Sequence, residues 1–192
     1  LTLTAQNTYT GGTTVNDGIL DLLGGDRIDG ALVVDGTGKV TLSTAGHNKL
    51  GGITSITMQN GGTFSDNSGG TYVQSVNIPI FFNNGGTLTS EAGTDGNSLY
   101  GGYLFDGGIT VSGNALATIS ANRVGFNFAE TITVDDTVAG AATDLLILSE
   151  LTTDDRQGVI TKAGAGTLTL TGINQNGATT AHHDDWTINA GT

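Results

Sequence analysis

Cysteine is absent from this 192-residue sequence, proline occurs once, and lysine and arginine together supply only six side chains. Without cysteine there is neither a disulfide framework nor a thiolate metal site, so stability must come from hydrogen-bond ladders and packed side chains. The six basic residues, Arg27, Lys39, Lys49, Arg123, Arg156 and Lys162, are scattered, and 18 acidic residues bring the net charge to −12. Nucleic acid is bound through a clustered basic footprint, and anionic lipid attracts the same feature. Neither is an expected partner. No apolar run approaches the roughly 18 residues of a membrane-spanning helix, so no membrane insertion by this segment is expected. The first residues lack the charged and apolar regions of a secretory signal, which places any such signal outside this segment. Aromatic residues make up only 6% of the chain.

What is abundant is glycine, at 32 positions, together with threonine and asparagine. The first twenty residues, LTLTAQNTYTGGTTVNDGIL, set the pattern. Leu1 and Leu3 alternate with Thr2 and Thr4, the period-two signature of a half-buried strand. Gly11-Gly12 and Asp17-Gly18 then supply residues suited to sharp turns. The unit recurs as an apolar strand residue followed by an Asn, Asp or Gly turn: Val15-Asn16-Asp17-Gly18, Val34-Asp35-Gly36, Met58-Gln59-Asn60-Gly61, Phe82-Asn83-Asn84-Gly85, Val111-Ser112-Gly113-Asn114, Val134-Asp135-Asp136 and Ile188-Asn189-Ala190-Gly191, with a weaker member from Ile160 to Leu168. The steps through Val15, Val34, Met58, Phe82, Val111, Val134, Ile160 and Ile188 are 19, 24, 24, 29, 23, 26 and 28 residues. A period of about 25 residues is that of a solenoid.

Strand periodicity selects the solenoid. Lys39 to Ser43, Ser55 to Met58, Ile109 to Ser112 and Thr131 to Val134 alternate apolar residues with Thr or Ser, and no stretch sustains a helical apolar pattern with caps. The expected fold is all-β, a right-handed parallel β-helix of about eight coils in one domain spanning 1–192; at the interstrand spacing of about 4.8 Å it forms a rod of about 40 Å. Asp144 to Leu151 reads as one buried strand. Within Tyr72 to Phe105, which contains Pro79, the segments Ser90 to Ser98 and Gly101-Gly102 read as extruded loops. The competing fold is an antiparallel β-sandwich, which predicts hairpins every 8 to 12 residues and leaves the longer period without a cause.

Leu1 to Thr4, Asn7 to Val15 and Gly18-Ile19-Leu20 resemble the autotransporter-associated β-strand repeat of bacterial passenger regions. A partial second copy runs from Gly164 to Asn174 and closes with Thr187 to Thr192; it lacks the Thr-Tyr-Thr-Gly-Gly turn, and Gln175 to Trp186 lengthens its loop. The resemblance implies a β-helix displayed on, or released from, a bacterial surface, and it implies no catalytic residues. Asn189-Ala190-Gly191-Thr192 joined to Leu1-Thr2-Leu3-Thr4 reads NAGTLTLT, echoing AGAGTLTLT from Ala163 to Thr171. The end of one copy therefore fits the beginning of another, and uncapped strand edges favour such pairing. Head-to-tail stacking of copies is the expected partnership.

Candidate chemistry is sparse. His182-His183-Asp184-Asp185 is the densest set of potential metal ligands, yet neighbours on a strand face opposite ways, and a solvated loop is the expectation. Asp135-Asp136 and Asp154-Asp155 with Arg156 have the residue types of calcium or acid–base sites but lack the Gly-Gly-x-Gly-x-Asp pattern of calcium-binding β-rolls, so they read as corner acids. Tyr72, Tyr100, Tyr103 and Trp186 are possible sugar contacts or packing residues. Outward Thr and Asn read as pleated-surface and ladder residues rather than as a glycan- or ice-binding face. The expected function is therefore structural, a stalk or filament outside the cell, with no catalytic, metal or cofactor site. Adhesion to glycans or a host surface through extruded loops is the second reading. Polysaccharide cleavage on a β-helix is the third.

Overall fold

The computed structural model describes residues 1–5, 7–23, 28–91, 102–136, 143–153, 158–172 and 185–192. Among these residues every regular element is a strand: β1 (Thr2–Leu3), β2 (Thr13–Val15), β3 (Ile19–Leu22), β4 (Gly30–Asp35), β5 (Lys39–Leu42), β6 (Ile53–Gln59), β7 (Thr63–Asp66), β8 (Val73–Val76), β9 (Ile80–Asn83) and β10 (Gly86–Ser90) come first. They are followed by β11 (Gly102–Phe105), β12 (Ile109–Ser112), β13 (Ala117–Ser120), β14 (Arg123–Phe126), β15 (Glu130–Val134), β16 (Leu145–Ile147), β17 (Glu150–Thr153), β18 (Val159–Ala163), β19 (Leu168–Leu170) and β20 (Asp185–Ile188).

Three stacked sheets result. The first has the order β1-β3-β5-β7-β10-β13-β16-β19, the second β2-β4-β6-β9-β12-β15-β18-β20, and a four-stranded third runs β8-β11-β14-β17. Every strand pair is parallel. This is a parallel β-helix with eight rungs in each long sheet, and the parallel pairing rules out the antiparallel sandwich. The third sheet enters at the fourth rung, between β7 and β9.

The apolar repeat positions are rung positions. Val15, Val34, Met58, Phe82, Val111 and Val134 face one another in register through the second sheet. The last two steps differ from the sequence expectation: Ile188 pairs with Lys162 rather than Ile160, and Ile160 pairs with Trp186 on one side and with Glu130, not Val134, on the other. Ile160 and Lys162 share the inward face, as do Glu130 and Val134, so the strand alternation holds while the register differs by two residues at the last step and by four at the step before it.

The corners between the second and first sheets are built on one backbone conformation. Gly36, Asn60, Asn84 and Gly113 occupy successive rungs with φ of 58°, 50°, 62° and 95°, a region that side chains other than Asn and Asp enter at a cost of about 1–2 kcal/mol. The asparagines also join the rungs. The backbone N–H of Asn114 donates to Asn84 Oδ1 (3.0 Å), Asn84 Nδ2 donates to Asn60 Oδ1 (2.9 Å), and Asn60 Nδ2 donates to the Asp35 carboxylate (2.8 Å). Gln59 Nε2 adds a second bond to Asp35 at 2.8 Å. These bonds hold the Asp35 carboxyl below its ordinary range, with Asn60 the larger contributor.

Inward side chains stack in columns. In the second sheet Leu32, Ile56, Ile80, Ile109 and Ile132 are in register and buried; in the first, Leu20, Val40, Phe64, Leu88, Ile119 and Ile147 are likewise. Each full burial is worth about 1.5–3 kcal/mol. Aromatic rings continue the core through the third sheet: Phe64, Tyr103, Phe105, Phe126 and Trp186 follow one another with centroid separations of 6.5, 6.0, 5.9 and 6.1 Å.

Two local expectations change. Asp144 to Leu151 is not one strand: β16 ends at Ile147, the chain turns at Leu148-Ser149, and β17 joins the third sheet. Gly102 opens β11 rather than lying in a loop, and a Cβ there would collide with the backbone carbonyl of Arg123 on the next rung. Most of the other expected loop, from 92 onward, lies outside the described residues.

Candidate functional site

The terminal rung formed by β19 and β20 carries the most distinctive chemistry. Its inward side chains surround a cavity of about 240 Å³ lined by Lys162, Leu168, Leu170, Trp186, Ile188 and Thr192. Leu170 and Ile188 are 40% and 55% exposed, in columns whose members on earlier rungs are buried. Strand alternation points them inward, and the rung that would cover them lies beyond β19 and β20.

Lys162 sits in the aliphatic column, between Ile132 and Ile188, and is fully buried. Its ammonium is caged by backbone carbonyls: Nζ donates to Gly164 O at 2.6 Å, Gly166 O at 2.5 Å and Ala190 O at 2.8 Å. Three donors meet three acceptors, which is the full capacity of an ammonium group. Burial pushes the Lys162 amine down, while the negative charges of Asp144 and Asp135 oppose that shift. The cage ties the turn after β18 to the segment after β20, adding to the strand ladders that join the last two rungs. Asp144, itself buried, braces the same corner by accepting from the backbone N–H of Thr167 at 2.7 Å.

The terminal rung also presents a defined register. The backbone N–H of Leu168 donates to Thr192 O at 2.7 Å, and the hydroxyls of Thr167 and Thr192 lie 3.0 Å apart. At the other end of the solenoid, β1 pairs with β3 through Thr2 and Asp21 and through Leu3 and Leu22. There Leu1 is 83% exposed, while Leu3 and Val15 are half-buried.

Of the described sequence candidates Trp186 lines this cavity, whereas Asp135, Asp136, Tyr72 and Tyr103 lie elsewhere on the solenoid. Asp135 and Asp136 are exposed at the corner after β15. Tyr103 is a core residue, 2% exposed, whose hydroxyl donates to Thr89 O at 2.8 Å. Tyr72 stands edge-on to His47, with ring centroids 5.2 Å apart. Trp186 closes the aromatic column against Phe126. Asp154, Asp155, Arg156, Tyr100, His182, His183 and Asp184 lie outside the described residues, and Asp185 is placed only as a strand residue pairing with Val159. Among the described residues no group of three or more His, Asp or Glu side chains is arranged to hold a metal ion.

Sequence reasoning missed Lys162 because a single lysine in an apolar pattern carries no signature of burial. The nearby glycines of AGAG offered the one hint, since closely packed carbonyls require them.

No curated protein and no solved structure matches the chain. A family model described as passenger-associated-transport-repeat matches residues 1–22 and 160–192, which hold β1 to β3 at one end and nearly all of β18 to β20 at the other. The rungs at the two ends of this β-helix are thus similar to the passenger-associated-transport repeat.

Proposed function

We propose that this chain is a structural β-helix of an exported bacterial passenger, working at or beyond the cell surface, and that copies stack end to end to form a stalk or filament. One observation carries the reading: Thr192 lies against Thr167 at the last rung, a register that the first strand of a second copy would continue. Since Thr192 lies against Thr167, Leu1, Thr2 and Leu3 of a following copy would face Leu168, Thr169 and Leu170. Leucines then cover leucines, and threonine meets threonine on the outer face. The added strand would satisfy the edge backbone groups of β19 and roof the cavity beside Lys162, the usual solution for an open solenoid end.

The reading needs neither a cofactor nor a catalytic residue. Its binding energy comes from apolar burial and backbone hydrogen bonds, as between rungs of one copy.

The absence of cysteine makes the register directly testable. Facing residues of adjacent strands lie about 4.8 Å apart, within the Cα range of about 4.4–6.8 Å that a disulfide spans. Chains carrying both Thr2→Cys and Thr169→Cys are expected to form a ladder of covalent multimers on mild oxidation. Chains carrying Thr14→Cys and Thr169→Cys, whose cysteines belong to different sheets, are expected to remain monomeric. A Thr2→Cys, Thr169→Cys chain that stays monomeric at high concentration, or a control that links equally well, would overturn the stacking register.

A further inference from the structure

The third rung has no strand in the third sheet: residues 43–52 pass from β5 to β6 as a loop, and the third sheet starts one rung later at β8. An open edge would invite another strand, and the loop caps part of it. The backbone N–H of Asn48 donates to Val73 O (3.3 Å), that of Val73 to His47 Nδ1 (3.2 Å), and that of Ser75 to Asn48 Oδ1 (3.0 Å). Lys49 N–H adds a bond to Gln74 Oε1 at 2.7 Å. Past Ser75 the cap gives way to a cleft of about 540 Å³ running from the third rung to the fifth.

We propose that this cleft binds a neutral saccharide. Its lining is divided by polarity. Leu50 and Ile53 are buried and Ile78 half-buried, giving an aliphatic surface, while Ser75, Asn77 and Asp106 supply hydroxyl, amide and carboxylate groups at the opening. A pyranose ring has the matching division, with C–H faces and an equator of hydroxyls. The Asn77 amide both donates and accepts, and the Asp106 carboxylate accepts from paired hydroxyls through charge-assisted bonds. Among the described residues the Ser75 and Asn77 side chains have no hydrogen-bond partner in the chain, so both are available to a ligand.

Charge selects within the class. Among the described residues no lysine or arginine lines the cleft, Asp106 contributes a negative charge, and the chain carries −12 overall; uronic, sialylated and phosphorylated sugars are therefore repelled. The volume falls in the range of about 300–1,000 Å³ typical of small-molecule sites and suits a short segment of a chain rather than a long polymer. The cleft lies among middle rungs, away from both terminal rungs, so saccharide binding and stacking succeed or fail separately.

Saturation-transfer NMR on the intact chain, with lactose, maltose, cellobiose and N,N′-diacetylchitobiose as neutral probes and digalacturonate as the anionic comparator, tests the site. At least one neutral disaccharide is expected to bind and digalacturonate is not. Asn77→Ala and Asp106→Ala are each expected to weaken the bound sugar about tenfold, the size of one lost hydrogen bond of about 1.4 kcal/mol. Ser75→Trp, which fills the cleft, is expected to abolish the signal. These side chains are exposed or half-exposed, and an unchanged circular dichroism spectrum checks that each variant keeps the fold. Absence of signal from all four neutral sugars, or binding unaltered by Asn77→Ala and Ser75→Trp, would overturn the proposal.

Discussion

Lys162 and Asp66 both place a charge where a solenoid column calls for an aliphatic side chain, and they do so with different consequences. The ammonium of Lys162 has its hydrogen bonds satisfied by three carbonyls. Substituting Lys162→Met keeps length and adds hydrophobicity, yet strands the carbonyls of Gly164, Gly166 and Ala190. A buried acceptor left without its donor costs about 1–3 kcal/mol, so chemical denaturation is expected to show Lys162→Met less stable than wild type by roughly that amount; an equal or more stable variant would show that the cage contributes nothing. Asp66 follows Leu22 and Leu42 in its column and is 3% exposed. Burial pushes its carboxyl up to about 6, Glu91 adds to the rise, and hydrogen bonds from Ser68 and Gln74 oppose it. The folded-state value lies above the unfolded one, so its stabilising contribution is complete below about pH 4 and disappears as pH rises through about 6. A difference of roughly two units corresponds to about 3 kcal/mol. Asp66→Asn is expected to raise the melting temperature at pH 7.5 and to flatten its dependence between pH 4 and pH 7.5. A wild-type profile that rises toward neutral pH, with the Asp66→Asn variant following the same curve, would contradict this account.

Turns and strands of the individual rungs differ in how openly the sequence declares them. At the corner after β9, Asn84 holds φ of 62° and links Asn60 to the backbone of Asn114. Asn84→Gly keeps the backbone conformation and loses the amide bonds, whereas Asn84→Ala loses both. The expected order of thermal stability is wild type, then Gly, then Ala, with about 1 kcal/mol between the two variants from backbone strain; Ala equal to Gly would remove the conformational argument. These corners were legible because Asn-Gly and Asp-Gly advertise their backbone requirement and the preceding apolar residue marks the rung. The third sheet was not legible. Its strands GYLF and RVGF are buried along nearly their whole length, which erases the alternation that identified the other two sheets. Asp144 to Leu151, expected as one strand, failed for a related reason: apolar residues continue around a corner, and composition alone does not show where a strand changes sheets. Lys162 escaped because its acceptors come from segments far apart in sequence, Gly164 and Ala190, and only the fold brings them together.

The whole molecule is a β-helix of eight rungs per long sheet, and the proposed stacking sets a second copy on its last rung. Each chain carries −12, so copies repel at low ionic strength and the repulsion is screened beyond about 8 Å at physiological salt. Association is therefore expected to strengthen as salt is raised from about 10 mM to 150 mM, read by analytical ultracentrifugation; dissociation by salt would show that ionic contacts, rather than apolar and backbone pairing, drive it. Spacing gives the sharpest test. Eight rungs at about 4.8 Å make an axial repeat of about 40 Å, and proline at position 3 breaks the pairing of β1 with β3, which removes the ordered strand that each copy would offer to the one before it. The decisive measurement is electron microscopy of the purified chain over increasing concentration beside the Leu3→Pro variant. The account predicts unbranched filaments with an axial repeat near 40 Å that are lost in the variant. Dispersed monomers at every concentration, or filaments that persist in Leu3→Pro, would contradict it.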